Sequence, residues 1–275
     1  MLDQEMIANI QGSGLVRGSF QAEKRDRLLR QEWGFRVADR AQYALLASCF
    51  LPSAVPEEMK ALGNLLRHFE VDYTLLPKEH CCGALFFRQA VEEGNDEDLS
   101  HARVLSWGFI ESNLRQIREI GARKIITFCA GCNEVYGGFR DAIPEEVVWY
   151  PTLLARMFRG GRIQLHADYY AGCYASYRNL NRGTPDLESA LTILHQIQGL
   201  ELNELDNNLC CNNAQQVESL IASMRTRTII TICGGCAMWL KQALKGRGDY
   251  RVLMLPKVAW AAVLDSTQQE NTTGC

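Results

Sequence analysis

The cysteines of this chain are the feature that most restricts how it can fold and what it can do. Ten of its 11 cysteines fall into two successive sets with the same order: a single cysteine, an adjacent pair and a C-x-x-C motif. The first set is Cys49, Cys81, Cys82, Cys129 and Cys132, and the second is Cys173, Cys210, Cys211, Cys233 and Cys236. Cys275 is left over. The repeated order indicates an internal duplication in which thiols are the functional groups.

The duplication extends beyond the cysteines. Residues 124–132, KIITFCAGC, align with residues 228–236, TIITICGGC. Pro151 and Pro256 follow the last cysteine of their C-x-x-C motifs by 19 and 20 residues. We therefore predict three regions, which are an N-terminal extension over 1–40, a first lobe over 41–160 and a second lobe over 161–275.

Composition places the chain among ordinary globular proteins. It is 47% hydrophobic and 22% charged, which excludes the disordered, collagen-like and coiled-coil classes. The net charge of −3 gives no basis for nucleic-acid binding, and the apolar runs are far shorter than the roughly 18 residues of a membrane span. No signal peptide is visible, so we expect a cytoplasmic protein. In a reducing compartment, clustered cysteines bind metal or perform redox chemistry more often than they form structural disulfides.

Apolar runs and helical stripes alternate along both halves. The runs predict strands over 43–47, 71–76, 124–128, 164–170, 200–205 and 228–232. Two helices are predicted to begin at Pro56 and at Thr184-Pro185-Asp186. Two more are predicted over 104–120, ending at Gly121, and over 217–224. Such alternation is typical of βαβ units. The predicted fold class is therefore α/β, with two pseudo-symmetric Rossmann-like lobes of parallel sheet flanked by helices. The cysteines would then lie at the carboxyl edges of the sheets, where such folds bind ligands.

Five thiols in each lobe exceed what one small metal site uses, since a structural zinc or a cubane iron–sulfur cluster takes four ligands. Successive side chains of an extended backbone point to opposite faces, so we expect Cys81 and Cys82 to reach different metal ions. This pattern favours a multi-iron cluster. Three alternatives stay open: buried thiols that only pack, structural zinc in one or both lobes, above all the second, and a metal-free dithiol reductase.

The order Cys, Cys-Cys-Gly, Cys-x-x-Cys, present twice over about 41–265, resembles the CCG signature of the heterodisulfide reductase B-subunit family. Relatives of that family include subunits of lactate, glycolate, glycerol-3-phosphate and some succinate dehydrogenases. The resemblance implies two noncubane [4Fe–4S] clusters, each held by one set of five cysteines. It implies reduction of a disulfide, or oxidation of two thiols, and it gives the catalytic role to Cys81, Cys82, Cys210 and Cys211.

The resemblance also implies partner proteins that exchange electrons with this chain. They are a ferredoxin-like iron–sulfur subunit of the C type and a flavin subunit of the A type. The substrate would be a small-molecule or protein-bound disulfide or dithiol. The chain has no glycine-rich nucleotide-binding fingerprint beside a strand, which agrees with electrons that arrive through partners.

The second set departs from the family pattern. Asn212 follows the second cysteine pair where the family has glycine, although asparagine tolerates positive φ. The gap before the C-x-x-C motif is 46 residues after Cys82 but only 21 after Cys211, so we expect a second site that is more open or that binds its ligand differently. The alternative functions are an electron-relay subunit of a lactate-, glycolate- or succinate-type dehydrogenase and a zinc-binding structural subunit.

Several residues close to the cysteines are further candidates. His80 would donate a proton to a leaving thiolate or hydrogen-bond a cluster sulfur, and the alternative is a structural histidine. The backbone N–H groups of the cofactor-binding candidates would approach cluster sulfurs, unless these glycines only form turns: Gly83, Gly131, Gly234 and Gly235. Residues 25–30 form a mixed-charge helical face that we expect to be solvated, and Cys275 is predicted to be an unliganded thiol.

Overall fold

The computed structural model describes residues 2–174, 185–206 and 208–273, with side chains up to residue 266. The first half contains a four-stranded parallel sheet with the order β2-β1-β3-β4. Its strands are β1 (Tyr43–Leu46), β2 (Tyr73–Leu75), β3 (Lys124–Thr127) and β4 (Glu146–Trp149). Two residues named in the sequence predictions, Thr184 at the start of a helix and the thiol Cys275, lie outside the described residues.

Helices precede, connect and follow these strands. They are α1 (Gln4–Ser13), α2 (Gly18–Asp26), which continues as a π-helical segment (Arg27–Glu32), α3 (Leu51–Ala54), α4 (Pro56–His68), α5 (Ala84–Glu93), α6 (Asp96–Ile120), α7 (Ala130–Gly138), a 3-10 turn (Arg140–Ala142) and α8 (Tyr150–Met157). Pro56 opens α4 as predicted, with Glu57 and Glu58 in the first turn, where acidic side chains complement the helix dipole.

The second half repeats this architecture. Its parallel sheet has the order β6-β5-β7-β8, which matches the first sheet strand for strand. Its elements are β5 (Gly161–Tyr170), α9 (Glu188–His195), β6 (Ile197–Glu204), α10 (Ala214–Ser223), β7 (Thr228–Thr231), α11 (Gly234–Ala243), β8 (Arg251–Met254) and α12 (Leu255–Thr273). The prediction of an α/β fold with two parallel sheets flanked by helices is confirmed.

Two kinds of element differ from the sequence-based prediction. α6 begins eight residues before the predicted stripe, because the Asn95 side chain accepts a hydrogen bond from the Asp98 N–H and caps the helix there. It ends at Gly121, as predicted, with φ +75. The fourth strand of each sheet, β4 and β8, lies in a segment for which no strand was predicted.

The chain divides into two compact units that are discontinuous in sequence. The first comprises Met1–Ser53, Asp72–Tyr150 and Tyr174–Pro185, and the second comprises Ala54–Val71, Pro151–Cys173 and Asp186–Cys275. α4 therefore belongs to the second unit, where it packs against α12. Each predicted lobe contains one of the two sheets, and the domain boundaries at residues 40 and 160 stay a prediction. Within the described chain, every helix lacks the combination of length and apolar character that a bilayer span requires.

The N-terminal residues are part of the first unit's core. Apolar side chains from this region share one buried cluster with cysteines of the first set: Leu2, Ile7, Ile10, Leu15 and Val16. The expectation that residues 25–30 form a solvated face is wrong at Arg25, which is only 3% exposed. Its guanidinium forms an ion pair with the buried Glu79 carboxylate, 54 residues away in sequence.

Candidate metal centres

In both units the cysteines follow the carboxyl ends of strands. Cys49 follows β1, the Cys81–Cys82 pair lies between β2 and α5, and Cys129 is the N-cap of α7 after β3. The second set occupies the corresponding places, and Cys233 is the N-cap of α11 after β7. Because the strands of each sheet are parallel, these ends meet at one edge, which is where the sequence predicted the thiols.

Neighbouring thiols of the first set lie close enough to shift one another's pKa. The pairs that do so are Cys49 and Cys81, Cys81 and Cys82, Cys82 and Cys132, and Cys132 and Cys129. All five belong to the first compact unit. The structure therefore brings together the whole first set, although its members come from three separate strand ends.

The second set shows the same neighbours in the same order. The thiols that shift one another's pKa are Cys173 and Cys210, Cys210 and Cys211, Cys211 and Cys236, and Cys236 and Cys233. The duplication seen in the sequence thus extends to the order in which the thiols neighbour one another. All ten of these cysteines are in the thiol form.

The two members of each adjacent pair shift each other's pKa. The expectation that Cys81 and Cys82 reach different metal ions assumed extended backbone. Both pairs lie in loops between a strand and a helix, to which the period-two alternation of a strand does not extend. That expectation therefore stays a prediction.

Backbone N–H groups lie near several of the sulfurs. The Gly83 N–H acts to lower the pKa of Cys81, and the Asn212 N–H acts to lower the pKa of Cys210, whereas the Asn213 N–H donates to the Cys210 carbonyl oxygen at 3.2 Å. At the start of α11, the N–H groups of Gly235 and Cys236 act to lower the pKa of Cys233. Such donors stabilise a thiolate over a thiol. Gly131 and Gly234 lie in the first turns of α7 and α11, and their predicted contact with sulfur stays a prediction.

One cysteine of each adjacent pair has a lowered pKa. The Cys132 and Cys81 side chains lower the pKa of Cys82 to about 6. The Cys211 side chain lowers the pKa of Cys210 to about 5. The Cys81 side chain and burial raise the pKa of Cys49. Because the thiolate is the form that binds metal and acts as a nucleophile, the two lowered values favour the metal-binding form in each pair.

The two sets differ in exposure. In the first set four of the five cysteines are at most 6% exposed, and only Cys129 is half-buried. In the second set Cys211 and Cys236 are buried, whereas Cys173, Cys210 and Cys233 are half-buried. The second set is therefore the more open one, which is one of the two expectations for the short gap after Cys211.

Gly83 occupies a position that only glycine fits without strain. Its φ is +82, and a Cβ added there would lie 2.1 Å from Ser106 Oγ and 3.1 Å from Ser106 Cβ. The backbone at Gly83, directly after the first cysteine pair, therefore packs closely against the Ser106 side chain of α6. Asn212 stands at the matching place in the second set.

His80 is held mainly through its backbone. Its N–H donates to Asn113 Oδ1 at 2.7 Å, and its carbonyl accepts from Asn113 Nδ2 at 2.8 Å. The same Nδ2 donates to the buried Tyr136 hydroxyl at 3.0 Å. The imidazole Nδ1 is buried with no hydrogen-bond partner, and burial lowers the pKa of His80. The structure thus places His80 beside the first pair, and its role stays a prediction.

Glu79 is a site residue that the sequence analysis missed. Its side chain is buried, and one carboxylate oxygen accepts from Arg25 Nη2 at 3.0 Å and from the Ala47 N–H at 2.9 Å. The other oxygen accepts from the Ser48 N–H at 2.9 Å. Burial raises the pKa of Glu79, and Arg25 and the two amides oppose this shift. Its position two residues before Cys81 was the only signal in the sequence.

The chemistry of the donor set fits an iron–sulfur cluster. Thiolates are the usual protein ligands of such clusters, and N–H donors to sulfur are typical of their surroundings. Among the described residues, no three His, Cys, Asp or Glu side chains form a ready-made site for one metal ion. A tetrahedral zinc also takes cysteine thiolates as ligands, so zinc in one or both lobes stays an alternative.

Comparison with known proteins supplies the family. The profile of the CCG family, described as a cysteine-rich domain, matches residues 43–135 and 167–241. The chain belongs to the CCG cysteine-rich domain family. The two CCG regions contain all ten cysteines of the two sets, and the resemblance inferred from the cysteine order is confirmed.

Two curated relatives are similar to most of the CCG chain. The B subunit of fumarate reductase (CoM/CoB) from Methanothermobacter marburgensis is 24% identical over 239 residues, which are 78% of this chain and 45% of the relative. The D subunit of dihydromethanophenazine:CoB–CoM heterodisulfide reductase from Methanosarcina acetivorans is 22% identical over 233 residues, which are 77% of this chain and 52% of the relative. The chain spans about half the length of these relatives.

Among solved structures, a glutamate racemase isoform, RacE1, from Bacillus anthracis covers 85% of this chain, and the chain covers 84% of it. The sequence identity is 11% and the TM-score is 0.32. A likeness at this level carries nothing about function.

Proposed function

We propose that this CCG chain is the iron–sulfur subunit of a heterodisulfide-reductase-like complex. It would hold two noncubane [4Fe–4S] clusters, one on each set of five cysteines. There it would reduce a disulfide, or in the reverse direction oxidise two thiols, with electrons exchanged through partner subunits. The observation that carries this proposal is that two sets of five cysteines follow corresponding strands of two sheets with the same strand order.

Two equivalent sites suit the stoichiometry of the reaction. Reduction of a disulfide breaks one S–S bond, takes up two electrons and two protons, and yields two thiols. Each bound cluster would supply one electron and an iron that acts as a Lewis acid towards sulfur. The electrons would come from the ferredoxin-like partner of the C type, which the flavin partner of the A type reduces.

The chain's own residues would fix the ligands and manage charge. Cys82 and Cys210 have the lowered pKa values of their pairs and would bind metal as thiolates. The N–H groups near Cys81, Cys210 and Cys233 would offset part of the negative charge that sulfur ligands bring. His80 is the proposed proton carrier beside the first pair.

The names of the relatives suggest which substrate to test first. Both names mention the thiols CoM and CoB, and one of the two relatives is a subunit of a heterodisulfide reductase. We therefore propose the CoB–CoM heterodisulfide as the first substrate to test, followed by lipoate and other small disulfides.

Metal analysis of the anaerobically purified and reconstituted chain tests the proposal. We expect about eight iron and eight sulfide ions per chain, four of each for every cluster. Reduced viologen as electron donor should then drive turnover of the disulfide. Stoichiometric zinc without sulfide would contradict the proposal and favour the zinc-binding structural subunit.

Paired cysteine variants test the ligand assignment. Cys82→Ala should lower the iron content to about four per chain, because only the first set is interrupted. Cys275→Ala is the matched control, since Cys275 belongs to neither set, and it should keep the full iron content. If Cys82→Ala retains both the iron and the turnover, the assignment of the adjacent pair is wrong.

The second candidate function is an electron-relay subunit of a dehydrogenase. Its support is that one relative belongs to a fumarate reductase. The two functions differ in one measurement. A relay subunit would take up iron and sulfide and accept electrons, but it would reduce neither the CoB–CoM heterodisulfide nor lipoate nor the other small disulfides tested.

A further inference from the structure

The N-terminal helices α1 and α2 make hydrogen bonds to two loops, the one that carries Cys49 and the one that carries Cys81 and Cys82. The carbonyl of Gly14, at the end of α1, accepts a hydrogen bond from the Cys81 N–H at 2.7 Å. Gln21 of α2 donates from Nε2 to the Cys49 carbonyl at 3.0 Å. Both ligand loops therefore have one backbone group held by a residue that lies outside both matched CCG regions.

The approach of α1 to the cysteine loop is too close for any side chain at its end. Gly14 has φ +86, and a Cβ added there would lie 2.5 Å from the Glu79 carbonyl oxygen and 3.6 Å from His80 Cα. Lys78 Nζ also donates to the Gly12 carbonyl at 2.8 Å. The end of α1 thus lies directly against residues 78–81.

Arg25 acts on the same loops through Glu79. The Glu79 carboxylate accepts from the N–H groups of Ala47 and Ser48, which directly precede Cys49, while Glu79 itself precedes Cys81 by two residues. It therefore ties the Cys49 loop to the loop of the first pair. Arg25 is the cation that lets this carboxylate stay buried, because a buried charge without a partner is strongly unfavourable.

The second set is held by different residues: the Cys210 N–H, which corresponds to the Cys81 N–H, donates to Gln216 Oε1 of α10 at 2.6 Å. Asn208, which precedes Cys210 by two residues as Glu79 precedes Cys81, is exposed and hydrogen-bonded to Asp206. The difference parallels the exposure of the two sets, since the clamped set is the buried one.

We propose that Arg25 and Gln21 are positioning residues of the first cysteine site, and that the N-terminal region clamps and seals this site. Arg25 acts through Glu79 on both ligand loops, and Gln21 acts on the Cys49 loop alone. The inference rests on the proposed function only for the role of the thiols as ligands. The clamp itself is a property of the metal-free chain.

Residue-resolved alkylation of the metal-free chain tests the clamp. Iodoacetamide is added under reducing, anaerobic conditions, and the rate at each cysteine is followed by mass spectrometry. Arg25→Met should speed alkylation of Cys49, Cys81 and Cys82 by about tenfold or more, because a buried thiol reacts only after local opening. The rates at Cys210 and Cys211 should stay the same, and Arg25→Lys should restore much of the protection.

Two further variants make the result specific. Gln21→Leu removes the hydrogen bond to the Cys49 carbonyl and the one that Gln21 Oε1 accepts from the Arg17 N–H. Neither bond involves the loop of the first pair, so the variant should speed alkylation at Cys49 and leave Cys82 unchanged. Arg36→Met is the matched control, because Arg36 belongs to the same N-terminal region but pairs with the exposed Asp72, and it should change none of these rates.

Equal alkylation of the first set in wild type and Arg25→Met would overturn the proposal. If Arg25→Met unfolds the chain, the Gln21→Leu result decides, and unchanged alkylation at Cys49 would overturn it as well. Iron and sulfide content tests the proposed function separately. Failure to take up iron therefore leaves the clamp intact, and a failed alkylation test leaves the cluster assignment intact.

Discussion

Replacement of Gly83 by alanine would show how tightly the first cysteine pair is fitted against α6. Two costs add at this position. A non-glycine residue in the left-handed region costs about 1–2 kcal/mol, and an extra methyl group in a packed site costs about 1–3 kcal/mol. Since the new Cβ would lie 2.1 Å from Ser106 Oγ, both apply. We expect Gly83→Ala to lower the free energy of unfolding by about 2–5 kcal/mol.

Gly94 provides a matched control for the backbone cost. It ends α5 with φ +62, and a Cβ there would meet no atom within 4 Å. Gly94→Ala should therefore cost only the left-handed penalty, about 1–2 kcal/mol. The entropy change of the unfolded chain is common to both substitutions. Their difference, measured by urea unfolding of the metal-free chain, isolates the contact with Ser106.

A double-mutant cycle with Ser106→Ala identifies the contact directly. Ser106 Oγ is buried without a hydrogen-bond partner, so Ser106→Ala alone should change stability little. In the Gly83→Ala background it should recover part of the loss, because Ser106 Cβ would still lie 3.1 Å from the new methyl group. The reasoning is refuted if Gly83→Ala costs no more than Gly94→Ala, or if Ser106→Ala recovers nothing.

Two other predictions concern buried carboxylates of the second unit. The Asp168 carboxylate accepts hydrogen bonds from the N–H groups of Arg225 and Thr226, from Thr226 Oγ1 and from Asn203 Nδ2. Asp168→Ala should lower the free energy of unfolding in urea by about 3 kcal/mol, because several buried donors lose their acceptor. Glu201→Ala is the control and should be nearly neutral, because Glu201 is exposed. Lys241→Met should cost about 1.5–3 kcal/mol by removing the cation that pairs with Glu58, whose side chain is 2% exposed. Arg247→Met, in an exposed pair with Glu218, should cost less than about 1 kcal/mol and serves as its control.

The strands and the grouping of the thiols could be predicted because both depend on local patterns. The run Lys124–Thr127 has two buried isoleucines followed by a C-x-x-C motif, and it forms β3 as predicted. Once the strands are parallel, the cysteines that follow them must share an edge. The repeated order of the cysteines then fixed which five belong together.

The clamp on the first set could not be predicted because it depends on contacts distant in sequence. Arg25 lies in a segment with the charge pattern of a solvated helix, and only its partner 54 residues later explains its burial. The relative orientation of Cys81 and Cys82 could not be predicted either. It depends on the conformation of the loop after β2, and the period-two rule describes strands but not loops.

Helix α4 belongs to one half of the chain by sequence and to the other by packing. By sequence α4 belongs to the first copy of the repeat, but it packs with α12 in the second compact unit. If the chain were split near Gly160, the N-terminal fragment would retain α4 and expose its fully buried apolar face: Met59, Leu62, Leu65 and Leu66. Neither fragment should then be an autonomous folding unit, and co-expression should be needed to recover a native complex. A duplication that began with two alike copies would thus have ended in copies that depend on each other to fold.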